Sequence, residues 1–266
     1  MTGYVDADGV KLAVDVIGEG DPVSVVAHGL TGTRQQLAIF APYIPGTKIL
    51  FDFRGHGDSD RPPAGQYTMD HFASDVDAVA REYGATAVIG ASLGGGAALR
   101  LLMRDPHRFE KLVVLLPARL ELDDPDSARA RERILEIASI LERHELADAA
   151  ERLLAIEEAD HAFGGLAGTR DVRREAVLAM NSDGIPHAIR GSIDDPPVRD
   201  YDALRRITAR TLVVGQGNDH VHAASVARDL AEMLPNGELL LYDTPQDLLA
   251  AIPEVVAKVS ALLRAV

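Results

Sequence analysis

Residues 86–96 read TAVIGASLGGG, and this stretch decides the fold. The run from Ala87 to Gly90 is short and apolar, as is typical of a strand buried on both faces of a parallel sheet. The pattern G-x-S-x-G follows at 90–94, and a helix is predicted from Gly95 onward. On such a strand-to-helix turn the serine hydroxyl leaves the sheet, and the first N–H groups of the helix face it. The stretch predicts Ser92 as a nucleophile in an α/β protein, although a structural turn with Ser92 as a helix cap is the alternative.

Further apolar runs extend the predicted sheet along the chain. A hairpin is predicted from residues 4–5 and 10–14, which flank turn residues. Each of the other runs is short and rich in Val, Ile and Leu; they cover residues 23–27, 48–53, 111–116, 211–215 and 238–242. Helical spacing of apolar residues occupies 69–83, 97–103 and 252–265. This alternation predicts a doubly wound α/β fold, with a mostly parallel central sheet flanked by helices.

One long stretch, residues 121–208, has no convincing strand pattern. It contains helical patterns at 127–146, 147–157 and 171–180, with loops expected at 121–125 and 194–197. We therefore expect a core made of residues 1–120 and 209–266, with residues 121–208 inserted as a helical lid. Lids of this kind exclude water and shape substrate pockets.

Chain length, net charge and the distribution of apolar residues exclude several classes of protein. The 266 residues suit one α/β domain with an insertion. The net charge of −14 disfavours nucleic-acid binding, which needs a basic face. No apolar run is long enough to span a membrane, and MTGYVDADGV at the start has no signal-peptide pattern, so we expect a cytoplasmic protein.

No dinucleotide fingerprint or metal-ligand cluster is present and there is no cysteine, so we expect a small-molecule substrate and neither cofactor nor metal. The oligomeric state stays open.

A second motif, HGLTG at residues 28–32, directly follows the predicted strand 23–27. A backbone N–H just past that strand can donate to a developing oxyanion, and Leu30 is the candidate. The N–H of Leu93 is the other candidate donor, because it opens the helix after Ser92. We interpret His28 as a structural histidine that holds the loop, rather than as a catalytic base.

A third motif, residues 51–59, follows residues 48–50 of the next predicted strand. Its glycines and charged side chains are typical of a tight loop with an internal ion pair. We therefore interpret Asp52, Arg54 and His56 as structural.

These motifs together resemble the α/β-hydrolase superfamily, in particular its lid-bearing, esterase-like members. The matching pieces are HGLTG at 28–32, DFRGHGDS at 52–59 and GASLGG at 90–95, in family order and spacing. The resemblance implies an α/β-hydrolase fold, with the catalytic acid after the strand that follows the lid. That position is Asp219, with Asn218 as the neighbour to consider if the loop is one residue shorter. A carboxylate there holds the catalytic imidazole in the correct tautomer.

The chain departs from the family pattern at the catalytic histidine. The family histidine lies in the loop after the last strand, which here is expected at residues 242–249 and contains none. Its position falls on Gln246, or on Asp247 after a one-residue slip, and no histidine occurs beyond His222. A glutamine cannot accept a proton at pH 7, and a serine hydroxyl is a poor nucleophile without a base.

Three explanations remain open at this stage. A surrogate base, for which His222 is the first candidate, could come from elsewhere; the others are His220 in the same loop and His161 and His187 in the lid. The pocket could instead orient a substrate for cyclisation, rearrangement or elimination without transfer of a serine proton. Finally, the protein could be a pseudoenzyme that binds a small molecule, or an engineered variant that lost its histidine. The leading hypothesis is a serine esterase-like enzyme that acts on small apolar esters, thioesters or lactones with an atypical or incomplete triad.

Overall fold

A single eight-stranded sheet organises the computed structural model, which describes residues 3–118, 125–159, 169–219 and 221–265. Its strands are β1 (Gly3–Ala7), β2 (Val10–Ile17), β3 (Val23–Ala27), β4 (Thr47–Phe51), β5 (Ala87–Ala91), β6 (Lys111–Leu115), β7 (Arg210–Gln216) and β8 (Gly237–Tyr242). The spatial order is β1-β2-β4-β3-β5-β6-β7-β8. Strands β3 to β8 pair in parallel, whereas β2 pairs antiparallel with both β1 and β4. The prediction of a mostly parallel α/β-hydrolase sheet is confirmed.

Helices cover both faces of this sheet. Those of the core are α1 (Met69–Glu82), α2 (Leu93–Arg104), α8 (Ala224–Met233), α9 (Pro245–Ala250) and α10 (Ile252–Arg264). Helix α1 begins after Thr68, whose side chain accepts the N–H of His71, and it buries Phe72, Val76 and Val79. Because strands such as β5 are buried along their whole length, each face of the sheet contributes to an apolar cluster.

The described residues between β6 and β7 form helices joined by loops and contain no strand. The helices are α3 (Pro125–Arg143), α4 (Leu146–Ala159), α5 (Arg170–Leu178), α6 (Gly184–Ser192) and α7 (Tyr201–Leu204), and we call this segment the helical insertion. Four of these helices share an apolar cluster of their own, in which Leu153, Val177 and Ile189 are buried. The expected loop at 194–197 is present, whereas most of the loop expected at 121–125 lies outside the described residues.

The end of the helical insertion is anchored to the core. Val198, Leu204 and Ile207 are buried in the main apolar cluster of the sheet, although the sequence pattern placed them in the insertion. The buried Arg100 of α2 donates to the Asp195 carboxylate at 2.8 Å and to the carbonyl of Pro197 at 3.0 Å. The chain therefore returns to the sheet across the helix that follows Ser92.

Two boundaries differ from the sequence expectation. Helix α2 begins at Leu93, because the turn at Ser92 is completed within one residue. The segment expected as a loop over 242–249 contains α9, because Thr244 caps the N–H of Asp247 and Pro245 occupies the first turn.

Candidate active site

Ser92 lies at the sharp turn between β5 and α2. Its φ of 47° and ψ of −108° are unusual for a residue with a side chain, and the turn is held by the bond from its N–H to the Leu115 carbonyl at 2.9 Å. A Cβ on Gly90 would overlap the backbone of Gly94, and a Cβ on Gly94 would overlap the Ala27 carbonyl. These two glycines are therefore required for the close approach that presents the Ser92 side chain beyond the sheet.

The N–H groups of Leu30 and Leu93 are the two candidate oxyanion donors. Leu93 is the first residue of α2, and the next N–H, that of Gly94, donates to the His28 carbonyl at 3.1 Å, which ties the two loops together. Within the described part of the chain, neither the Leu30 nor the Leu93 N–H donates to a protein acceptor. Both groups are thus available to a negatively charged oxygen beside Ser92.

His222 lies between Ser92 and Asp219. Its Nε2 is 3.0 Å from Ser92 Oγ, and its Nδ1 is 3.0 Å from Asp219 Oδ2. An ionised carboxylate only accepts hydrogen bonds, so Nδ1 carries the proton in the neutral ring and Nε2 is left to accept from the serine hydroxyl. The His222 and Asp219 side chains are 20% and 18% exposed, so the pair is largely shielded from water.

Asp219 is held by four donors. The N–H groups of Val221 and His222 donate to Oδ1 at 2.9 and 3.0 Å, and the buried Gln216 donates from Nε2 to Oδ2 at 2.8 Å beside the imidazole of His222. Burial opposes ionisation, but the hydrogen bonds and charge of His222, together with Gln216, outweigh it and hold the pKa of Asp219 well below its usual range. Asp219 is therefore a carboxylate that fixes the imidazole.

The position that the family pattern gives to the histidine is not part of this cluster. Gln246 is exposed in the first turn of α9, and Asp247 accepts a hydrogen bond from Thr244 at the same helix end. Asn218 has a φ of 54° and supplies the turn before Asp219. Asp219 and His222 both lie in the loop after β7.

His28, after β3, and Asp52, after β4, are buried structural groups. The His28 ring contacts the Gly29 carbonyl at 2.7 Å through Nδ1 and accepts the Phe53 N–H at 3.1 Å through Nε2, so it has no nitrogen left for Ser92. Asp52 accepts the N–H and the guanidinium of Arg34. Burial, and then the neighbouring His56, lower the pKa of His28 well below its usual range.

Arg54 and His56, in the loop after β4, are also buried and hydrogen-bonded within the protein. Arg54 pairs with Asp75 at 2.6 Å in the interior, and His56 is buried against backbone carbonyls. In the helical insertion, His187 is exposed and stacks on Tyr67. His161 and His220 lie outside the described residues.

Two general properties of the described residues complete this picture. They contain no group of three or more His, Cys, Asp or Glu side chains arranged to hold a metal ion. None of their helices is both long and apolar enough to cross a bilayer.

Sequence reasoning singled out Ser92, Asp219, Leu30 and Leu93 and named His222 as a surrogate candidate, but it missed the role of Gln216. The spacing D-x-x-H over 219–222, in a chain with no later histidine, was the available signal for His222. No sequence signal indicated Gln216, because its contact depends on how the loop after β7 turns back.

The family of the chain follows from comparison with known proteins. Residues 22–248 match the alpha/beta hydrolase fold family, so the chain belongs to that family. A 2-hydroxymuconate semialdehyde hydrolase from Pseudomonas putida is 26% identical over 231 residues, which cover 85% of this chain and 75% of that protein. A proline iminopeptidase from Pestalotiopsis fici is 27% identical over 43% of each chain, so the similarity spans less than half of that relative. The first relative is named as a hydrolase and the second as a peptidase.

Solved structures agree with the fold over the whole chain. An esterase from Exiguobacterium antarcticum has a TM-score of 0.81 at 20% identity and covers 100% of both chains. A hydrolase from Pseudomonas aeruginosa has a TM-score of 0.78 at 23% identity and covers 99% of this chain and 98% of that one. At these identities the likeness shows the fold alone.

Proposed function

We propose that this hydrolase-family chain is a serine esterase for small apolar esters, thioesters or lactones. Ser92 is the nucleophile, His222 the general base and Asp219 the acid. One observation carries the proposal: an unbroken hydrogen-bonded path runs from Ser92 Oγ through both nitrogens of His222 to Asp219 Oδ2. This alignment favours a base at His222 over the non-hydrolytic and binding-only interpretations, because neither of those needs an imidazole aligned on the serine.

Acylation follows from this geometry. Ser92 Oγ attacks the substrate carbonyl carbon while its proton passes to His222 Nε2. The resulting imidazolium is stabilised by Asp219, and the tetrahedral oxyanion accepts the N–H groups of Leu30 and Leu93. When the intermediate collapses, the C–O or C–S bond breaks and His222 returns the proton to the leaving alkoxide or thiolate. The products are an acyl-serine and a free alcohol or thiol.

Deacylation uses the same groups in the reverse order. Water gives a proton to His222 Nε2 and attacks the acyl carbon, and a second oxyanion forms at the same two N–H groups. Collapse of this intermediate returns the proton to Ser92 Oγ and releases a carboxylic acid. For a lactone, the alcohol and the acid are two ends of one product.

The preference for apolar substrates rests on the apolar side chains near residues 28–32, which carry the Leu30 N–H and which we call the oxyanion loop. The half-buried side chain of Leu30 packs against the apolar cluster of the helical insertion. The same cluster includes Ile134, Leu135 and Leu178, which are only partly buried. An aliphatic cluster in contact with Leu30 favours a substrate with an apolar acyl group.

The proposal is tested by treating the protein with a fluorophosphonate probe and locating the label by mass spectrometry. We expect one phosphonyl group on Ser92 and none in Ser92→Ala. We also expect hydrolysis of p-nitrophenyl butyrate that is lost in the same variant. The matched control is Ser74→Ala, because Ser74 donates to a backbone carbonyl in α1 and lies in none of the site's contacts.

An unlabelled Ser92 in a folded protein would contradict a serine hydrolase. Label on a different serine would contradict the assignment of the nucleophile. Strong labelling in His222→Gln would contradict the assignment of the base.

A further inference from the structure

The motif DFRGHGDS at 52–59 is unused by the triad, yet one of its side chains reaches the oxyanion loop. His56 is fully buried, and its Nε2 lies 2.8 Å from the carbonyl oxygen of Leu30. Leu30 is 26 residues away in sequence and carries one of the two candidate oxyanion donors. A contact with this carbonyl therefore acts next to the reacting atoms without touching the substrate.

The Gly29–Leu30 peptide group, which includes the Leu30 N–H, is also held in place. The Gly29 carbonyl accepts the Gly32 N–H at 2.9 Å, and the Nδ1 of His28 lies 2.7 Å from the same oxygen. In a trans peptide the C=O and the following N–H point in opposite directions. Holding the Gly29 oxygen against the loop therefore turns the Leu30 N–H away from the loop. With the Leu30 oxygen also held, both peptide planes that flank the Leu30 Cα have fixed orientations.

The His56 ring is itself rigidly placed. Its centroid lies 5.0 Å from that of His28 and 6.4 Å from those of Phe53 and Phe72. Its Nδ1 is 2.9 Å from the Arg54 carbonyl. Arg54 is in turn held by its buried ion pair with Asp75. Burial lowers the pKa of His56, so the ring is neutral near pH 7 and carries one proton for its two carbonyl neighbours.

We propose that His56 is a positioning residue for the oxyanion hole, whose Nε2–H donates to the Leu30 carbonyl and so fixes the Leu30 N–H in the orientation that the tetrahedral intermediate needs. The proposal rests on the proposed esterase function. Its physical basis is that an oxyanion donor stabilises the transition state only if it is oriented before the reaction, since a mobile N–H must lose entropy at that step. On this proposal, His56 links the DFRGHGDS motif to the oxyanion hole.

Two substitutions of His56 distinguish its Nε2 contact with Leu30 from its Nδ1 contact with Arg54. His56→Gln places an amide N–H near the former Nε2 and can still donate to Leu30, whereas His56→Asn reaches only the former Nδ1 and the Arg54 carbonyl. We expect His56→Asn to lower kcat for p-nitrophenyl butyrate by about 10- to 100-fold with KM nearly unchanged, less than the loss of a whole donor. His56→Gln should recover most of this loss. Both variants are assayed well below their melting temperatures.

A trifluoromethyl ketone distinguishes positioning from general damage. Such a ketone adds to Ser92 and forms a hemiketal oxyanion, so its affinity depends on the hole. We expect Ki for 1,1,1-trifluorohexan-2-one to rise in His56→Asn by about the factor lost from kcat, and to stay near the wild-type value in His56→Gln. Equal losses in both variants, or a raised KM with unchanged kcat, would overturn the proposal.

The ring tautomer in the unmodified protein provides a measurement that does not require a variant to fold. The ¹⁵N chemical shifts of His56 should show a neutral ring with the proton on Nε2. A proton on Nδ1 would mean that Arg54, not Leu30, receives the hydrogen bond, and would overturn the proposal. If wild-type Ser92 fails to react with the fluorophosphonate, the esterase function fails. If Ser92 reacts while His56→Asn keeps full kcat, only the role of His56 fails.

Discussion

At the scale of single residues, the proposed acid Asp219 and the proposed base His222 are three positions apart in one loop. The Asp219 carboxylate accepts the N–H groups of Val221 and His222, and this same turn places the His222 ring against Ser92. The backbone contacts of the Asp219 carboxylate thus also fix the position of His222. In the family pattern the base comes from a different loop, so here the alignment depends on one segment and on Gln216, which holds its carboxylate.

Removal of the base is the most direct test at this scale. We expect His222→Gln to lower kcat for p-nitrophenyl butyrate by about 10⁴-fold or more, because Ser92 then has no group to accept its proton. Steady-state kinetics measure the change. His144→Gln is the matched control, since His144 pairs with Asp148 on the surface of the helical insertion and should keep full activity. Similar losses in both variants would contradict the assignment.

The depressed pKa of Asp219 predicts a pH-dependent contribution to stability. The folded pKa lies below the unfolded value of about 3.9, so this carboxylate stabilises the native state above that pH and loses its effect as the pH falls further. We expect wild type to exceed Asp219→Asn in unfolding free energy by about 1–3 kcal/mol near pH 7. Urea titrations should show the difference shrinking below about pH 4. A difference that stays constant down to pH 3 would contradict the ionised, hydrogen-bonded state.

At the scale of elements, the sharp turn between β5 and α2 brings the ends of three strands together. The Ser92 N–H bonds to the residue that ends β6, and the Gly94 N–H bonds to the residue that follows β3. The backbone approach at Gly94 leaves no space for a side chain. The position of Ser92 therefore depends on the parallel sheet as much as on its own local turn.

The position of Gln246 in helix α9 allows us to predict the effect of Gln246→His, which restores the family histidine. Gln246 is exposed in the first turn of this helix, and the position facing Ser92 is already occupied by His222. We therefore expect Gln246→His to leave kcat/KM within about threefold of wild type, a free-energy change of about 0.7 kcal/mol. The informative comparison is the double variant His222→Gln with Gln246→His, which should stay inactive. Recovery of activity in this double variant would show that residue 246 reaches the serine.

At the scale of the whole molecule, two kinds of ion pair hold the helical insertion. Across its surface, pairs such as Arg190–Glu142 join neighbouring helices, with both side chains about half exposed. At its return to the core, Arg100 and Asp195 are both buried, and Asp195 also accepts the Met69 N–H at 2.9 Å. Exposed pairs contribute little because water screens them, whereas a buried charge that loses its partner is costly.

This difference predicts unequal effects of two similar substitutions. We expect Arg100→Met to lower the free energy of unfolding by about 2 kcal/mol, because Asp195 then keeps only the half-exposed Arg199 as a cationic partner and the buried Pro197 carbonyl loses its donor. Arg190→Met is the matched control and should cost less than about 1 kcal/mol. Chemical denaturation of both variants gives the values. If Arg100→Met proves as stable as its control, the buried pair does not anchor the insertion.

The sequence alone determined the fold, and it predicted Ser92, Asp219, Leu30 and Leu93 as residues of the candidate site. Ser92 and the oxyanion candidates followed from patterns within a few residues, because a strand, a turn and a helix start are each encoded locally. The limits of the helical insertion followed less well, since Val198, Leu204 and Ile207 have helix-like neighbours but pack into the sheet core.

Only the tertiary structure decided that His222 faces Ser92. Local sequence gave four candidates for the base, and the choice among them depends on a hydrogen bond between residues 130 positions apart. The same holds for Gln216, and for His56, which contacts Leu30 across two strand ends. Sequence patterns report the conformation of neighbours along the chain, whereas these contacts arise because parallel strands bring the loops at their carboxyl ends to one edge of the sheet.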